Sequence, residues 1–271
     1  MPNFYAHLLF GREVSRRMPP ELQRTLLRQW DAFCCGNFGP DPLYFYVGGR
    51  HAGAVRQAGI RLHHGSGRAA LEAYRQPVKE GKPCAAAFAA GYLLHFALDS
   101  QMHPYVLRTI ADGTVTHFAL EGEFDRWLLR QDGRAYPDAI PQRPVPPELL
   151  RAASYMAPEV TPDVYRIALK RYRMVSCRIG NWAGSPVRHV VNAASVLPPV
   201  RGIRGSVLEQ EPQGDMLRYL RDMEEIFAAA VPHGAALLAD FFAAVEEGKP
   251  LPAALELDYS GNEVDLSLIH I

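Results

Sequence analysis

The sequence predicts an all-α protein with a single multi-helix domain, and three observations on its 271 residues support this prediction. Apolar residues recur at helical spacing in most segments between breakers, which is typical of helices that bury one face. No two alternating segments are joined by a short turn, so a hairpin signal is absent from the sequence. The hydrophobic content of 48% and charged content of 21% are those of a globular chain.

Composition and sequence pattern also indicate the cellular compartment and exclude some classes of partner. The formal net charge is zero, which speaks against a broad basic surface, and we expect no stable nucleic-acid partner. "MPNFYAHLLFGREVSRR" lacks the features of a secretory signal, and the longest uncharged apolar stretch, residues 83–98, is shorter than the roughly 20 residues of a membrane span. The cysteines form no C-x-x-C pair, so we predict reduced thiols, a cytoplasmic location and no transmembrane segment, with peripheral membrane contact left open.

The first third of the chain predicts two helices around a loop-rich region. Pro19, Pro20 and Glu21 are a helix-start signal, and the apolar spacing that follows predicts a helix as far as about Phe33. Residues 36–65 are predicted to be loop-rich because "CGNFGPDP" and "VGG" are rich in breakers. A helix over residues 66–78 is predicted next.

The segment from Pro83 to Met102 is apolar on all sides, which predicts a helix buried in the middle of the fold. Pro104 is predicted to end this helix. Another helix is predicted over residues 115–130, followed by a proline-rich surface connector, "YPDAIPQRPVPPELL", rather than a domain boundary. Later helices are predicted in "PELLRAASYM", "TPDVYRIALKRYRMVS" and "GDMLRYLRDMEEIFAAA", with Pro232 as an interruption before "HGAALLADFFAAVEEG".

The last six residues are excluded from the predicted domain. Leu266–Ile271, "LSLIHI", is what a common sequencing adapter encodes, and we interpret it as adapter read-through. The predicted domain therefore covers residues 1–265, and His270 is given no role.

Three residues that can ligate metal lie at the end of the most hydrophobic segment of the chain. His95, Asp99 and His103 are each four residues apart, so the first two share a helix face and the third is displaced by about 80°. Burying such groups without partners costs several kcal/mol. A single buried histidine is usually a satisfied core residue, but three ligating side chains on one stripe favour a metal site.

Other candidate ligands lie on neighbouring segments. His117 and Glu121 are again four residues apart, a spacing that alone is typical of an ordinary helical ion pair. Four more candidates come earlier in the chain: His7, Asp41 in "GPDP", and the adjacent His63 and His64 in "GIRLHHG". Imidazole nitrogen and carboxylate oxygen without thiolate suit zinc in a hydrolytic site.

The chain resembles the bacterial zinc-dependent phospholipase C family, which is related in fold to the fungal single-strand zinc nucleases. The resemblance rests on the order of five features: His7, "GPD", "LH", "HxxxDxxxH" and "HxxxE". The resemblance covers about residues 2–125, and it places the metal-site part of the domain at about 2–130. It implies an all-α fold of the phospholipase C type, two to three Zn²⁺ ions and hydrolysis of a phosphodiester substrate.

Carried over by position, the resemblance implies three zinc sites. The first has Asp41, His63, His95 and Asp99, and the third has His103, His117 and Glu121. In the second, Asp99 acts as a bridge, joined by His7 and by the amino and carbonyl groups of Pro2 once Met1 is removed. His63 is preferred to His64 because "GxxLH" places it where the family has its histidine.

The chain departs from the secreted members of the family in three ways. Three residues separate Asp99 from His103 where the secreted enzymes have five, which bears on the geometry of the third site. The segment between Pro2 and His7 has no acidic residue for a choline headgroup, and no leader is visible.

The implied activity is phosphodiester hydrolysis of the phospholipase C type, with a phospholipid at a membrane surface as the expected substrate. A hydroxide shared by two zinc ions is expected to attack phosphorus in line. Asp41 is the predicted catalytic residue, as ligand and proton acceptor. Aromatic residues at the mouth are predicted to contact lipid or bases, or else to be core residues: Phe4, Tyr5, Tyr44, Phe45 and Tyr46.

Two alternative functions stay open. One is a nuclease or nucleotidase on the same scaffold, and the other is a metal-stabilised helical binding protein without turnover. A ferritin-like di-iron bundle is disfavoured because the candidate helices lack Glu-x-x-His. The oligomeric state stays open.

Overall fold

A computed structural model describes residues 4–49, 51–135, 144–183, 185–195, 205–208, 211–212 and 214–264. Within these ranges the chain is helical without a β-strand, and one isolated bridge pairs Leu257 with Glu263. The all-α prediction is confirmed. Pro2, residues 136–143 of the predicted connector and the predicted adapter read-through lie outside the described residues.

Eleven α-helices are described. The first seven are Phe4–Ser15 (α1), Pro20–Arg28 (α2), Trp30–Gly36 (α3), Ala52–His64 (α4), Gly67–Lys79 (α5), Ala85–Ile110 (α6) and His117–Gln131 (α7). The remaining four are Pro147–Ala153 (α8), Pro162–Asn181 (α9), Val187–Ala194 (α10) and Met216–Glu247 (α11). Short 3-10 helices occupy Asp41–Phe45, Ser154–Met156 and Ala253–Glu256.

Helix α6 is the centre of the fold, as its apolar sequence predicts. It packs against α1, α3, α5, α7, α8 and α11. Glycines let α3 and α6 approach closely: a Cβ on Gly91 would lie 2.2 Å from the Phe33 carbonyl oxygen, and one on Gly36 would lie 2.2 Å from the Phe88 carbonyl oxygen. The helix backbones therefore pack almost directly on each other, which fixes the position of the loop that follows α3.

The prediction that Pro104 ends the central helix is wrong, because α6 continues to Ile110. A proline inside a helix costs about 3 kcal/mol because it removes one hydrogen bond and crowds the preceding turn. Tertiary packing outweighs this cost here. Val106 is fully buried, and the Tyr105 hydroxyl donates to Asp222 on α11 at 2.7 Å.

The predicted interruption at Pro232 is also wrong, since α11 runs through this residue. Buried residues on both sides of the proline, such as Phe227 and Leu238, hold the two halves against the core. A Cβ on Gly234 would lie 2.9 Å from the Phe10 ring, so α11 crosses α1 at close range just after the proline.

Two further predictions require correction near the N-terminus. Residues 52–64 form α4 instead of a loop, although Gly53 and Gly59 each lower helix propensity by roughly 1 kcal/mol. The space above Gly59 is taken by Leu43, at 3.2 Å from an added Cβ, so packing on the 3-10 helix selects the glycine. The helix predicted to end near Phe33 is divided at Gln29 (φ −118°, ψ 39°), a break that turns α3 towards α6.

Helix α11 has the length and hydropathy of a membrane span, with 32 residues and a mean hydropathy of 1.6 over its most apolar window. Its buried face includes Leu220, Met223 and Phe241 and packs against α1, α6 and α7. This packing accounts for the apolar residues on that face. The four cysteines are free thiols, and all except the half-buried Cys177 are buried.

Candidate metal centre

Five segments bring the predicted side chains to one place. Helix α1 supplies His7, the 3-10 helix supplies Asp41, and α4 supplies His63. Helices α6 and α7 supply the other five, which are His95, Asp99, His103, His117 and Glu121. Seven of these eight side chains line a cavity of about 280 Å³, and the fully buried His95 contacts them from the core side.

The ligating atoms form three groups, in each of which every atom lies within 4.8 Å of the others. The groups are His7 with His95 and Asp99, Asp41 with His63 and His95, and His103 with His117 and Glu121. The last group has the same members as the third site implied by the resemblance. His95 belongs to the first two groups, a shared position that the sequence did not indicate.

Asp99 lies between the groups. Its Oδ1 atom is 3.2 Å from His7 Nε2 and 3.7 Å from His103 Nε2, and its Oδ2 atom is 3.2 Å from His95 Nε2. Burial by itself raises the pKa of this carboxyl group, but His103, His95 and His7 outweigh that effect and hold its pKa well below the ordinary value. Asp99 is therefore an ionised, acceptor-only group with both oxygens facing histidines, as a bridging ligand requires.

The "GPDP" loop carries Asp41 into the centre. Asp41 Oδ1 is 2.9 Å from His63 Nε2 and 3.9 Å from His95 Nε2. The loop can approach His95 this closely because Gly39 has φ +52° and a Cβ there would lie 2.3 Å from the His95 ring. Any other residue at position 39 would displace the Asp41 loop from the centre.

His103, His117 and Glu121 come together as the third group, although only three residues separate Asp99 from His103. Glu121 Oε1 is 3.3 Å from His103 Nε2 and 2.8 Å from His117 Nε2. Burial opposes ionisation of both partners, yet the neighbouring imidazoles hold the pKa of Glu121 well below its ordinary value. Against the same burial, Asp99 and Glu121 raise the pKa of His103 to about 10. His103 lies one helical turn after Asp99, and this spacing is enough for its Nε2 atom to reach Glu121.

Three of the histidines are oriented by backbone carbonyls. The Nδ1 atoms of His95, His103 and His63 lie 3.1, 2.8 and 3.3 Å from the carbonyl oxygens of Asn37, Tyr259 and Gly59. We assign the proton to Nδ1 in each, because a carbonyl can only accept. With a metal ion bound, the Nε2 lone pairs face the ion between the carboxylates, an arrangement that is typical of metal-bound histidine. Without the ion a proton takes that place, as the raised pKa of His103 indicates.

Three of the distances match those between two ligands of one zinc ion, while the other contacts between ligating atoms range from 2.8 to 3.9 Å. Two ligands at 2.0–2.1 Å from a tetrahedral zinc ion lie about 3.3 Å from each other. The contacts of Asp99 with His7 and His95, and of Glu121 with His103, are 3.2–3.3 Å. His95 Nε2 and Asp41 Oδ1 are buried and have no hydrogen-bond partner among the described residues. A cation with nitrogen and oxygen ligands would satisfy both atoms.

Sequence reasoning missed Asp125, which holds α1 against the centre. This buried residue on α7 lies one turn after Glu121 and accepts hydrogen bonds from the backbone N–H groups of Tyr5 at 3.0 Å and Ala6 at 2.8 Å. It satisfies the free donors at the start of α1 and so fixes the turn that carries His7. The repeated spacing of four in His117, Glu121 and Asp125 was a signal that could have identified it.

Most of the aromatic residues predicted at the mouth belong to the core. Phe4, Tyr5 and Tyr46 are buried, and Phe45 packs against Tyr172 with ring centroids 5.3 Å apart. Only Tyr44 among the five lines the cavity. The Tyr5 hydroxyl donates to Asp132 just after α7, so this side chain packs between α1 and the end of α7 and does not line the cavity.

The structure distinguishes the adjacent histidines His63 and His64. His63 Nε2 contacts Asp41, whereas His64 is exposed at the cavity wall and belongs to none of the three groups. We expect His63→Ala to lose about one zinc ion per chain and His64→Ala to retain the full complement. Elemental analysis of the two purified variants, side by side, checks this. Equal zinc content in both variants would contradict the assignment of His63.

The chain matches a known protein family. The family model described as zinc-dependent phospholipase C matches residues 6–168, more than half of the chain and the part that contains every described candidate ligand. No curated protein matches the chain, and no solved structure matches it.

Proposed function

Because the chain belongs to the zinc-dependent phospholipase C family, we propose that it hydrolyses phosphodiesters of phospholipids at the cavity between α1, α4, α6 and α7. The observation that supports this proposal is the position of Asp99, which contacts histidines of different groups at the wall of an open cavity. Two to three zinc ions fit the three groups. The residues would hold them as Asp41, His63, His95 and Asp99, as His7 and Asp99, and as His103, His117 and Glu121, with His95 in one set only because its single free lone pair binds one ion.

Bound zinc supplies Lewis acidity, which neutralises charge on phosphate oxygens and lowers the pKa of water. The chain itself supplies the proton acceptor. Asp41 lines the cavity, and its Oδ1 atom faces two imidazole nitrogens without a hydrogen bond to any described residue. We assign Asp41 the role of taking a proton from the attacking water, in addition to its role as ligand.

The cavity wall outside the three groups suits a lipid headgroup. Tyr44, His64 and Ser260 offer polar side chains, and Leu107 offers an apolar one that is 43% exposed. This combination matches a substrate with a phosphate ester and an apolar portion that stays at the rim. We further propose that the protein acts in the cytoplasm and contacts membranes peripherally.

A substrate panel tests the proposed function. Protein with a measured zinc content is assayed on micellar phospholipid, monomeric short-chain phospholipid, single-stranded DNA and nucleotides. We expect phospholipid cleavage that increases at the micellar interface, and its loss in Asp41→Asn. Cleavage confined to DNA or nucleotides, with affinity that falls as salt rises, would instead establish a nuclease or nucleotidase. Full zinc content without any turnover would establish a binding protein.

A further inference from the structure

Residues 257–263, here called the C-terminal turn, form a closed structure outside the part of the chain matched by the family model. Asp258 organises it. The Asp258 N–H donates to the Asn262 carbonyl at 2.9 Å, and Asp258 Oδ1 accepts from the N–H groups of Ser260 at 2.8 Å and Asn262 at 2.9 Å. These bonds fix the turn locally, as aspartate does in Asx-type turns.

The C-terminal turn packs onto α6 at the proline inside that helix. Pro104 has no N–H to donate to the Ser100 carbonyl, which lies four residues before it. Gly261 lies over this point: a Cβ there would be 2.6 Å from the Ser100 oxygen and 3.3 Å from Pro104 Cγ. Gly261 also has φ +74°, so both its conformation and its surroundings favour glycine.

This placement brings Tyr259 into the metal centre. Its carbonyl oxygen accepts from His103 Nδ1 at 2.8 Å. Its buried ring lies 5.1 Å from the His63 ring and 5.8 Å from the His95 ring, and it meets Phe96 edge-on at 5.2 Å. Tyr259 therefore contacts a histidine of each of the three groups, although it ligates in none of them.

We propose that Tyr259 is a positioning residue and that the C-terminal turn is a structural part of the metal centre. By accepting the His103 Nδ1 proton, the Tyr259 carbonyl fixes the tautomer and the ring orientation that direct His103 Nε2 at Glu121. The packing of Gly261 at Pro104 determines where that carbonyl lies. The proposal concerns metal affinity in the group of His103, His117 and Glu121, so it does not depend on which substrate is hydrolysed.

A pair of glycine substitutions tests the proposal. Gly261→Ala should displace the C-terminal turn from α6 and weaken zinc binding in the third group by about 10–100-fold, the usual effect of losing an outer partner of a ligand. Gly248→Ala is the matched control, because Gly248 has φ +69° but an added Cβ would meet no described atom within 4 Å. Zinc titration and the visible spectrum of the cobalt-substituted protein measure the effect. We expect the titration to show one ion bound more weakly in Gly261→Ala and no change in Gly248→Ala.

A second pair keeps the test informative if Gly261→Ala fails to fold. Asp258→Ala removes the acceptor that closes the C-terminal turn, and Asp258→Asn retains an oxygen at that position. Asp258→Ala should weaken the third group and Asp258→Asn should restore it, with unfolding midpoints showing that both variants are folded. Zinc affinity and cobalt spectra equal to wild type in the folded Asp258→Ala variant would overturn the proposal. Wild-type protein that binds zinc but hydrolyses no phospholipid would refute the proposed function and leave this result standing.

Discussion

Asp99→Asn is expected to remove zinc from the two groups that share His95, because Asp99 belongs to one of them and contacts His95 of both. We also expect it to lower phosphodiesterase kcat/KM by more than the roughly 10–100-fold that loss of an outer partner costs. The substitution keeps the size of the side chain but removes the negative charge that contacts His7, His95 and His103. Those imidazoles then face a neutral amide, which bridges cations poorly. Because a neutral group is easier to bury than a carboxylate, we expect the fold to persist.

Elemental analysis and initial rates on the same preparation measure this result. His103→Ala should lose only the ion of the third group, so its zinc content should lie between those of Asp99→Asn and wild type. Asp163→Asn serves as the matched control, because the Asp163 side chain is 82% exposed at the start of α9. Zinc content in Asp99→Asn equal to that of Asp163→Asn would show that Asp99 is not a bridge.

Removal of zinc by a strong chelator is expected to lower the melting temperature by roughly 8–16 °C. The ligands come from five segments, and a ligand present at 1,000 times its dissociation constant stabilises the folded state by about 4 kcal/mol. For a chain of this size each kcal/mol shifts the melting temperature by about 2–4 °C. Without the cation, carboxylates and imidazoles stay buried with fewer partners, so α1, the Asp41 loop and α7 separate more easily.

The melting experiment requires parallel measurement of zinc, so that each temperature refers to a known metal content. Asp99→Asn provides an internal check, since a variant that already lacks most of its zinc should respond less to the chelator. An unchanged melting temperature in wild-type protein, with zinc loss demonstrated, would contradict the role of the centre in joining these segments.

The sequence determined the parts of this centre that depend on local geometry. Because residues four apart in a helix share a face, the spacings in His95–Asp99–His103 and His117–Glu121 predicted which side chains project together. The uncharged composition around them predicted that α6 is buried. Resemblance to a family then supplied the expected partners from earlier segments, and the structure brings all of the described ones to the same cavity.

Tertiary structure decided everything that depends on how separate segments meet. It placed His95 in two groups, turned His63 inward and left His64 exposed, and added Asp125 and Tyr259, whose contacts join residues more than 100 positions apart. Tertiary packing also lets α6 and α11 continue past Pro104 and Pro232, where local rules predict that a helix ends or is interrupted. The physical reason is the same in each instance: helix periodicity acts within one or two turns, whereas burial against distant helices contributes enough free energy to override a local cost of a few kcal/mol.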